Sequence, residues 1–265
     1  MKSPGASMLF AEVVAMGQYR GLADIYDYLV AGVDFEGWID YVEDILKRFS
    51  CKPCTVLDLA CGTGNTIIPF ARRGYKAYGL DLSAEMIEQA RTKTRQEGLH
   101  IEFTVKDIRE FAMSEPVGLV TCFHDGLNYI IREEDIAKVF CCVCSCLAPD
   151  GLFIFDLNAV SWIGATADGP VVIEEPDLTI IYETVHNRED GLWSVALTGF
   201  VREGELFRRF KETHCERGYA PELIKGLLSA AGFETLGVYD AFTFNDVHQR
   251  SRRHFYVARK SYECR

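Results

Sequence analysis

Between residues 55 and 157 the chain alternates two kinds of hydrophobic pattern. Apolar-rich runs at 55–59, 76–80, 101–105, 117–123 and 151–157 have the length and punctuation of strands. Between them, apolar residues recur at helical spacing, which predicts helices at about 65–73, 83–96 and 133–147. Ser83 is placed to cap the second of these and Gly98 to close it. Strands alternating with helices build right-handed βαβ units, so the expected fold is α/β with a mostly parallel sheet.

The flanks follow other rhythms. Residues 19–50 keep helical spacing, punctuated by Gly21, Gly32 and Gly37, which predicts a helical cap over 1–50. After residue 160 four strand-like runs (VVIEE, DLTIIYETVHN, LWSVALTGFVR and ELFRRFKETHCER) follow one another without helices, and D-G and E-G pairs mark turns at 190–191 and 203–204. These predict an antiparallel insert over 161–220. Four short strands bury too little to stand alone, so the insert is expected to pack as a lid where the fifth strand ends. A helix at 221–233, with Pro221 in its first turn and Gly232 after its end, leads to two more strands, ETLGVYDAF and HFYVARK. The core would then be 51–160 plus 221–265.

The segment VLDLACGTG at 56–64 carries the first chemical signal. A dinucleotide-binding turn needs G-x-G-x-x-G, but counting from Gly62 through Gly64 puts Ile67 in the third place. No G-K-[ST] follows, which excludes a P-loop. Asp58 directly before the turn would repel a pyrophosphate and suits a ligand that brings positive charge. Asp58, Asp81, Asp107 and Phe123-His124 all fall at predicted strand carboxyl ends, and in an open parallel sheet such positions converge on one crevice.

Composition narrows the partners. A formal net charge of −11 argues against a nucleic-acid backbone, and the dense basic spots RRF at 208–210 and RSRR at 250–253 are read as solvated faces. Ten cysteines include Cys51-Lys-Pro-Cys54, but no second pair stands at zinc-site spacing, so no metal is expected. Cys141, Cys142, Cys144 and Cys146 lie on an apolar helical stretch and are expected to pack as small hydrophobes. Abundant unpaired cysteine fits a reducing compartment, and no signal peptide or membrane span is evident, so a cytoplasmic protein is expected.

With these residues in view, LDLACGTGN resembles the first motif of the class I S-adenosylmethionine-dependent methyltransferases. GLDLS at 79–83, FTVKDIREF at 103–111, VTCFHDGLNYI at 120–130 and LAPDGLFIFDL at 147–157 resemble the family's next four strand ends, so the similarity covers nearly the whole chain. The resemblance implies a Rossmann-like seven-stranded sheet with one antiparallel strand. It also implies S-adenosylmethionine as cofactor and in-line methyl transfer to a small-molecule N, O or C nucleophile.

Carried onto this sequence, the cofactor site comprises Tyr19, Tyr26, Asp58, Ala60, Gly62, Gly64, Asp81, Leu82, Asp107, Ile108 and Phe123. Gly62 and Gly64 would let backbone approach the cofactor's amino-acid end. Asp81 would accept from the ribose hydroxyls or, alternatively, serve the helix that follows. Asp107 would accept from the adenine amino group or be a loop acid, and Ile108 could lie on the adenine face. Asp58 would act on the positive charge through the field or through water. Tyr19 and Tyr26-Asp27 resemble the Y…A-x-x-YD pattern of small-molecule methyltransferases, in which a helix closes over the cofactor.

His124, Tyr129 and Tyr26 are the candidate catalytic groups, with Asn128, Arg208, Phe210 and His214 as candidate acceptor contacts. His124 departs from the family's usual residue and could equally be a turn residue. Arg208, Phe210, Glu212 and His214 alternate onto one strand face, which could instead be a solvated row or a dimer contact. A small-molecule acceptor is expected for a monomer or homodimer, with neither nucleic acid nor membrane as partner. A non-catalytic cofactor-binding subunit is the alternative, and Ile67 disfavours a nicotinamide oxidoreductase.

Overall fold

The computed structural model describes residues 21–160, 169–187 and 190–261. Its main sheet grows from β1 (Thr55–Leu59), whose period-two pattern sends Val56 to one face and Leu57 and Leu59 to the other. The sheet contains β2 (Lys76–Asp81), β3 (Ile101–Val105), β4 (Val117–Cys122), β5 (Leu147–Asn158), β10 (Phe233–Asp240) and β11 (Arg253–Lys260), in the order β10-β11-β5-β4-β1-β2-β3. Only β11 runs against its neighbours, so six of the seven strands are parallel. Strand order reverses between β1 and β4, which is where an open sheet of this kind leaves a crevice beyond its carboxyl ends.

Helices cover both faces. On one, α2 (Phe35–Arg48), α3 (Ile67–Arg72) and α4 (Ala84–Glu97) bury Ile39, Ile45, Phe70 and Ile87 against Val56, Leu119 and Ile154. On the other, α5 (Glu133–Cys146) and α6 (Pro221–Ala230) bury Val139, Phe140, Ile224 and Leu228 against Leu57, Val120 and Phe153. The predicted caps of α4 are present: Ser83 Oγ accepts from Met86 N at 3.1 Å, and Gly98 is left-handed at φ 67°. Helix α6 stops at Ala230, short of the expected end, because Gly232 already turns at φ 89°. Strand β5 starts at Leu147 rather than 151, since Leu147 pairs with Val117 before a register shift. Cys144 and Cys146 pack as expected, but Cys141 is exposed on the outer side of α5.

The second sheet is an antiparallel meander of β6 (Gly169–Glu175), β7 (Leu178–Asn187), β8 (Leu192–Glu203) and β9 (Leu206–Arg217). Gly191 and Gly204, both at φ 65°, make the two turns read from the sequence. Its inner face packs Leu178, Ile180 and Leu197 against Leu22 and Ile25, beside the short helix α1 (Tyr26–Leu29). Its far end is tied to the core, where Asn128 O accepts from Arg217 N at 2.8 Å and Asn128 Nδ2 donates to Arg217 O at 2.8 Å. No helix among the described residues is long and apolar enough to cross a membrane.

Candidate functional site

The turn after β1 winds through three left-handed residues, Ala60 (φ 52°), Gly62 (φ 53°) and Gly64 (φ 85°). The two glycines serve different ends. A Cβ at Gly62 would meet nothing within 4 Å, so this glycine borders open space on the crevice. A Cβ at Gly64 would lie 3.3 Å from both Ala90 and Ile68, so Gly64 is small for the approach of α3 and α4. Asp81 holds the turn in place: its Oδ2 accepts from Gly62 N at 2.8 Å and its Oδ1 from Ser83 N at 2.8 Å. Burial raises the Asp81 carboxyl above the ordinary range despite these donors. It therefore both braces the following helix and stands at the crevice wall.

Next to Asp81, Leu82 is 69% exposed, and Val105, which pairs with Asp81 across β2 and β3, is 44% exposed. Two large apolar side chains bared at adjacent strand ends form a surface suited to a flat apolar ring, whereas Ile108 is buried in the core. Val105 was not singled out from the sequence, because it reads there as an ordinary strand residue. Asp107 is engaged locally: Arg109 forks onto it, with Nη2 2.6 Å from Oδ2 and Nε 3.0 Å from Oδ1, and holds its carboxyl below the usual range.

Asp58 lies under the crevice, fully buried, accepting from the hydroxyls of Thr66 and Thr121. Burial outweighs those hydrogen bonds and pushes its carboxyl up to about 7, with Asp81 and Asp156 adding to the rise. With its oxygens engaged from within, Asp58 reaches the crevice by its field.

The cap closes over the turn through Asp27. Its Oδ1 accepts from Thr63 Oγ1 at 2.5 Å and from Asn65 Nδ2 at 2.9 Å, and its Oδ2 pairs with Lys93 Nζ at 2.8 Å. Partial burial opposes ionisation, but these donors prevail and hold the carboxyl below its ordinary value. Thr63, Asn65 and Lys93 were missed in the sequence; Lys93 carries no local signal, since it joins the site only through folding. Tyr19 lies outside the described residues.

Tyr26, which follows the cap turn, places its hydroxyl 3.0 Å from His124 Nδ1. His124 and Asp125 are consecutive left-handed residues (φ 57° and 73°), a conformation non-glycine residues rarely hold. The His124 N–H donates to Asp156 Oδ1 at 2.8 Å, which locks the turn. The imidazole stands edge-on to Phe35 and Trp38, at 5.6 and 5.8 Å, and burial lowers its proton affinity, leaving it neutral at neutral pH. Phe123 is buried between Trp38 and Phe255. Tyr26, Phe35, Ala60, Gly62, Thr63 and His124 line one cleft.

The remaining candidates divide. Asn128 is buried with its amide spent on architecture: Oδ1 accepts from Asn158 N at 3.1 Å while Nδ2 holds β9. On β9, Arg208 pairs with Glu203 at 2.7 Å and with Asp24, and Phe210 packs over Gly21. Glu212 Oε1 accepts from Gly21 N at 2.6 Å and Leu22 N at 3.2 Å. This row faces the cap. Tyr129 and His214 meet deeper, with the phenol oxygen 3.4 Å from His214 Nδ1. Near them lie groups that the sequence did not announce: Asp125, Asp156, Glu216 and Arg253. They come from four separate stretches of chain, and no local motif joins them.

The family described as "Methyltransferase domain" matches residues 56–151, from β1 into β5. A crystal structure of an S-adenosylmethionine-dependent methyltransferase from Clostridium acetobutylicum ATCC 824 is similar at TM-score 0.83 and 30% identity, over 92% of this chain and 100% of that one. The Bacillus subtilis (strain 168) protein YqeM, named a methyltransferase, is 29% identical over 92% of this chain and 97% of its own length. A Streptomyces venezuelae dTDP-3-amino-3,4,6-trideoxy-alpha-D-glucopyranose N,N-dimethyltransferase is 26% identical over 70% of this chain and 72% of its own.

Proposed function

This chain belongs to the class I S-adenosylmethionine-dependent methyltransferases, and on that premise we propose that its acceptor is a small molecule held between the turn after β4, helix α1 and strand β9. The observation that carries this reading is the Tyr26–His124 pair, set in the lining of the cleft that also contains Gly62. The net charge of −11 supports a metabolite over a nucleic acid, and the curated relatives that carry substrate names act on amino sugars and in ubiquinone biosynthesis. The same reading has the enzyme cytoplasmic, as a monomer or homodimer.

The residues present fit the cofactor. Gly62 leaves space where a side chain would intrude, and Asp81 presents carboxylate oxygens whose remaining lone pairs can accept from ribose hydroxyls. Leu82 and Val105 offer an apolar face for the adenine. When bound, S-adenosylmethionine supplies an electrophilic methyl group on a sulfonium. The chain supplies alignment, exclusion of water and proton handling. Asp27 ties α1 to Thr63, Asn65 and Lys93 and so closes one side of the cleft. His124 is a neutral base: in the tautomer whose Nδ1–H donates to Tyr26, the Nε2 lone pair is left to take a proton from the acceptor. General-base help of this kind is worth roughly 10²–10⁴ in rate.

Incubation with methyl-labelled cofactor and a deproteinised metabolite extract tests the reading. Label is expected in a small product, and His124→Ala should lower incorporation by about 10²-fold or more. Because the proton affinity of His124 is depressed, activity should hold above the ordinary histidine range and fall only as pH drops below it. Label that stays wholly in the cofactor, with S-adenosylhomocysteine still bound, would favour the non-catalytic alternative.

A further inference from the structure

On the acceptor side of the cleft, carboxylates outnumber cations. Asp125 after β4, Asp156 on β5 and Glu216 on β9 share one guanidinium, that of Arg253 at the start of β11. Arg253 is taken up by the first two: Nη1 lies 2.8 Å from Asp125 Oδ1 and also pairs with Asp156. Asp125 further accepts from Asn158 Nδ2 at 2.8 Å, and Asp156 from His124 N. Glu216 is left over. Tyr129 hydrogen-bonds its carboxyl, but although the residue as a whole keeps some exposure, its Oε2 is sealed from solvent and meets no donor among the described residues.

A buried carboxylate oxygen without a protein donor is costly, and natural proteins keep such atoms for a catalytic role or for a ligand, ion or water that completes them. The location suits one. His124, which lines the cofactor cleft, donates its N–H to Asp156 and is followed directly by Asp125, so the cluster borders the place where the acceptor must sit. We propose that Glu216, beside Asp125, receives a nitrogen, so that the acceptor of this methyltransferase is a small amine. The inference rests on the methyl-transfer reading above and sharpens its substrate class.

The charges balance. An amine arrives as its ammonium, whose N–H groups donate to Glu216 Oε2 and offset the surplus negative charge. An ammonium has no lone pair, so one proton passes from nitrogen to Nε2 of His124, the base assigned above, while the Glu216 carboxylate holds the remaining N–H groups. Burial, with Asp125 and Asp156 nearby, raises the proton affinity of Glu216, and the positive charge of an arriving ammonium offsets the cost of keeping it ionised. The nitrogen lone pair then forms the new N–C bond as the methyl C–S bond breaks, and sulfur keeps the electron pair. Positive charge moves from sulfur to nitrogen, towards the carboxylates. An alcohol acceptor would bring no positive charge and would leave the cluster uncompensated.

The test uses the whole enzyme and a deproteinised bacterial metabolite extract with methyl-labelled cofactor, before and after the extract's amines are blocked with an acetylating N-hydroxysuccinimide ester. Incorporation should fall at least tenfold on blocking, and Glu216→Gln should cost a similar factor while S-adenosylhomocysteine affinity is unchanged. A second readout needs no turnover. Since the raised proton affinity of Glu216 means that its ionisation opposes folding, Glu216→Gln should match or exceed the wild-type melting temperature at pH 8. Incorporation that survives amine blocking, or full activity in Glu216→Gln, overturns the amine inference and leaves the methyl-transfer reading standing. A lowered melting temperature in the variant makes Glu216 structural and also overturns it. No incorporation from the untreated extract overturns the small-molecule reading, and the inference with it.

Discussion

The proposed cofactor half of the crevice and the proposed acceptor half are built by opposite means. Around the cofactor, the turn from Ala60 to Gly64, Asp81, Leu82 and Val105 come from three adjacent parallel strands within about fifty residues of chain. Much of that half is backbone geometry, fixed by positive φ angles at Gly62 and Gly64. Around the acceptor, Tyr26, His124, Tyr129, His214, Glu216 and Arg253 come from the cap, the β4 turn, the insert and the last strand. That half is side-chain chemistry assembled by topology. A chain can keep the first half constant and vary the second, because the two draw on different parts of the fold.

Substitutions that separate the halves test this contrast. The largest effect is expected at Gly62: a β-branched side chain there meets both a forbidden φ and the ligand's space. Gly62→Val should therefore lower S-adenosylhomocysteine affinity by about two orders of magnitude or more, read by calorimetry. Asp81→Ala should follow, losing about 1–3 kcal/mol of binding as the charged acceptor and the brace on Gly62 disappear together. Unchanged affinity would remove Asp81 from the site. The smallest change is expected on the other side. Arg208→Ala breaks partly exposed pairs with Glu203 and Asp24, each worth about 0.2–1 kcal/mol, and should leave cofactor affinity alone while slowing acceptor turnover through a looser cap. If cofactor affinity fell as far as turnover, the halves would not be separable at this strand.

The same contrast explains what the sequence disclosed. Period-two runs and helical spacing located the elements of the main sheet and all four strands of the insert, because each pattern is local. The glycine turn and the acids at the strand ends were visible for the same reason. Asn128 shows the limit: from its place beside Tyr129 it read as an acceptor contact, but its amide binds β9, a partner 89 residues away in sequence. Gly64 read as a backbone approach to ligand, and the closeness of Ala90 that it also admits left no local sign. The carboxylate cluster around Arg253 had no signature at all, since Arg253 belonged to a basic run that looked like solvated surface. Contacts made by distant strands leave no periodic trace.

Glu212 reaches from β9 to the backbone N–H groups of Gly21 and Leu22, while Asp27 a few residues later reaches to Lys93 on α4. Cap and insert are therefore one inheritable unit. A chimaera that grafts residues 169–217 from a relative onto this core would set a foreign strand against the native Gly21–Tyr26 segment, where Phe210 leaves no room for a side chain on Gly21. Exchange of acceptor preference by recombination has to carry both pieces across together, although more than a hundred residues of the core lie between them.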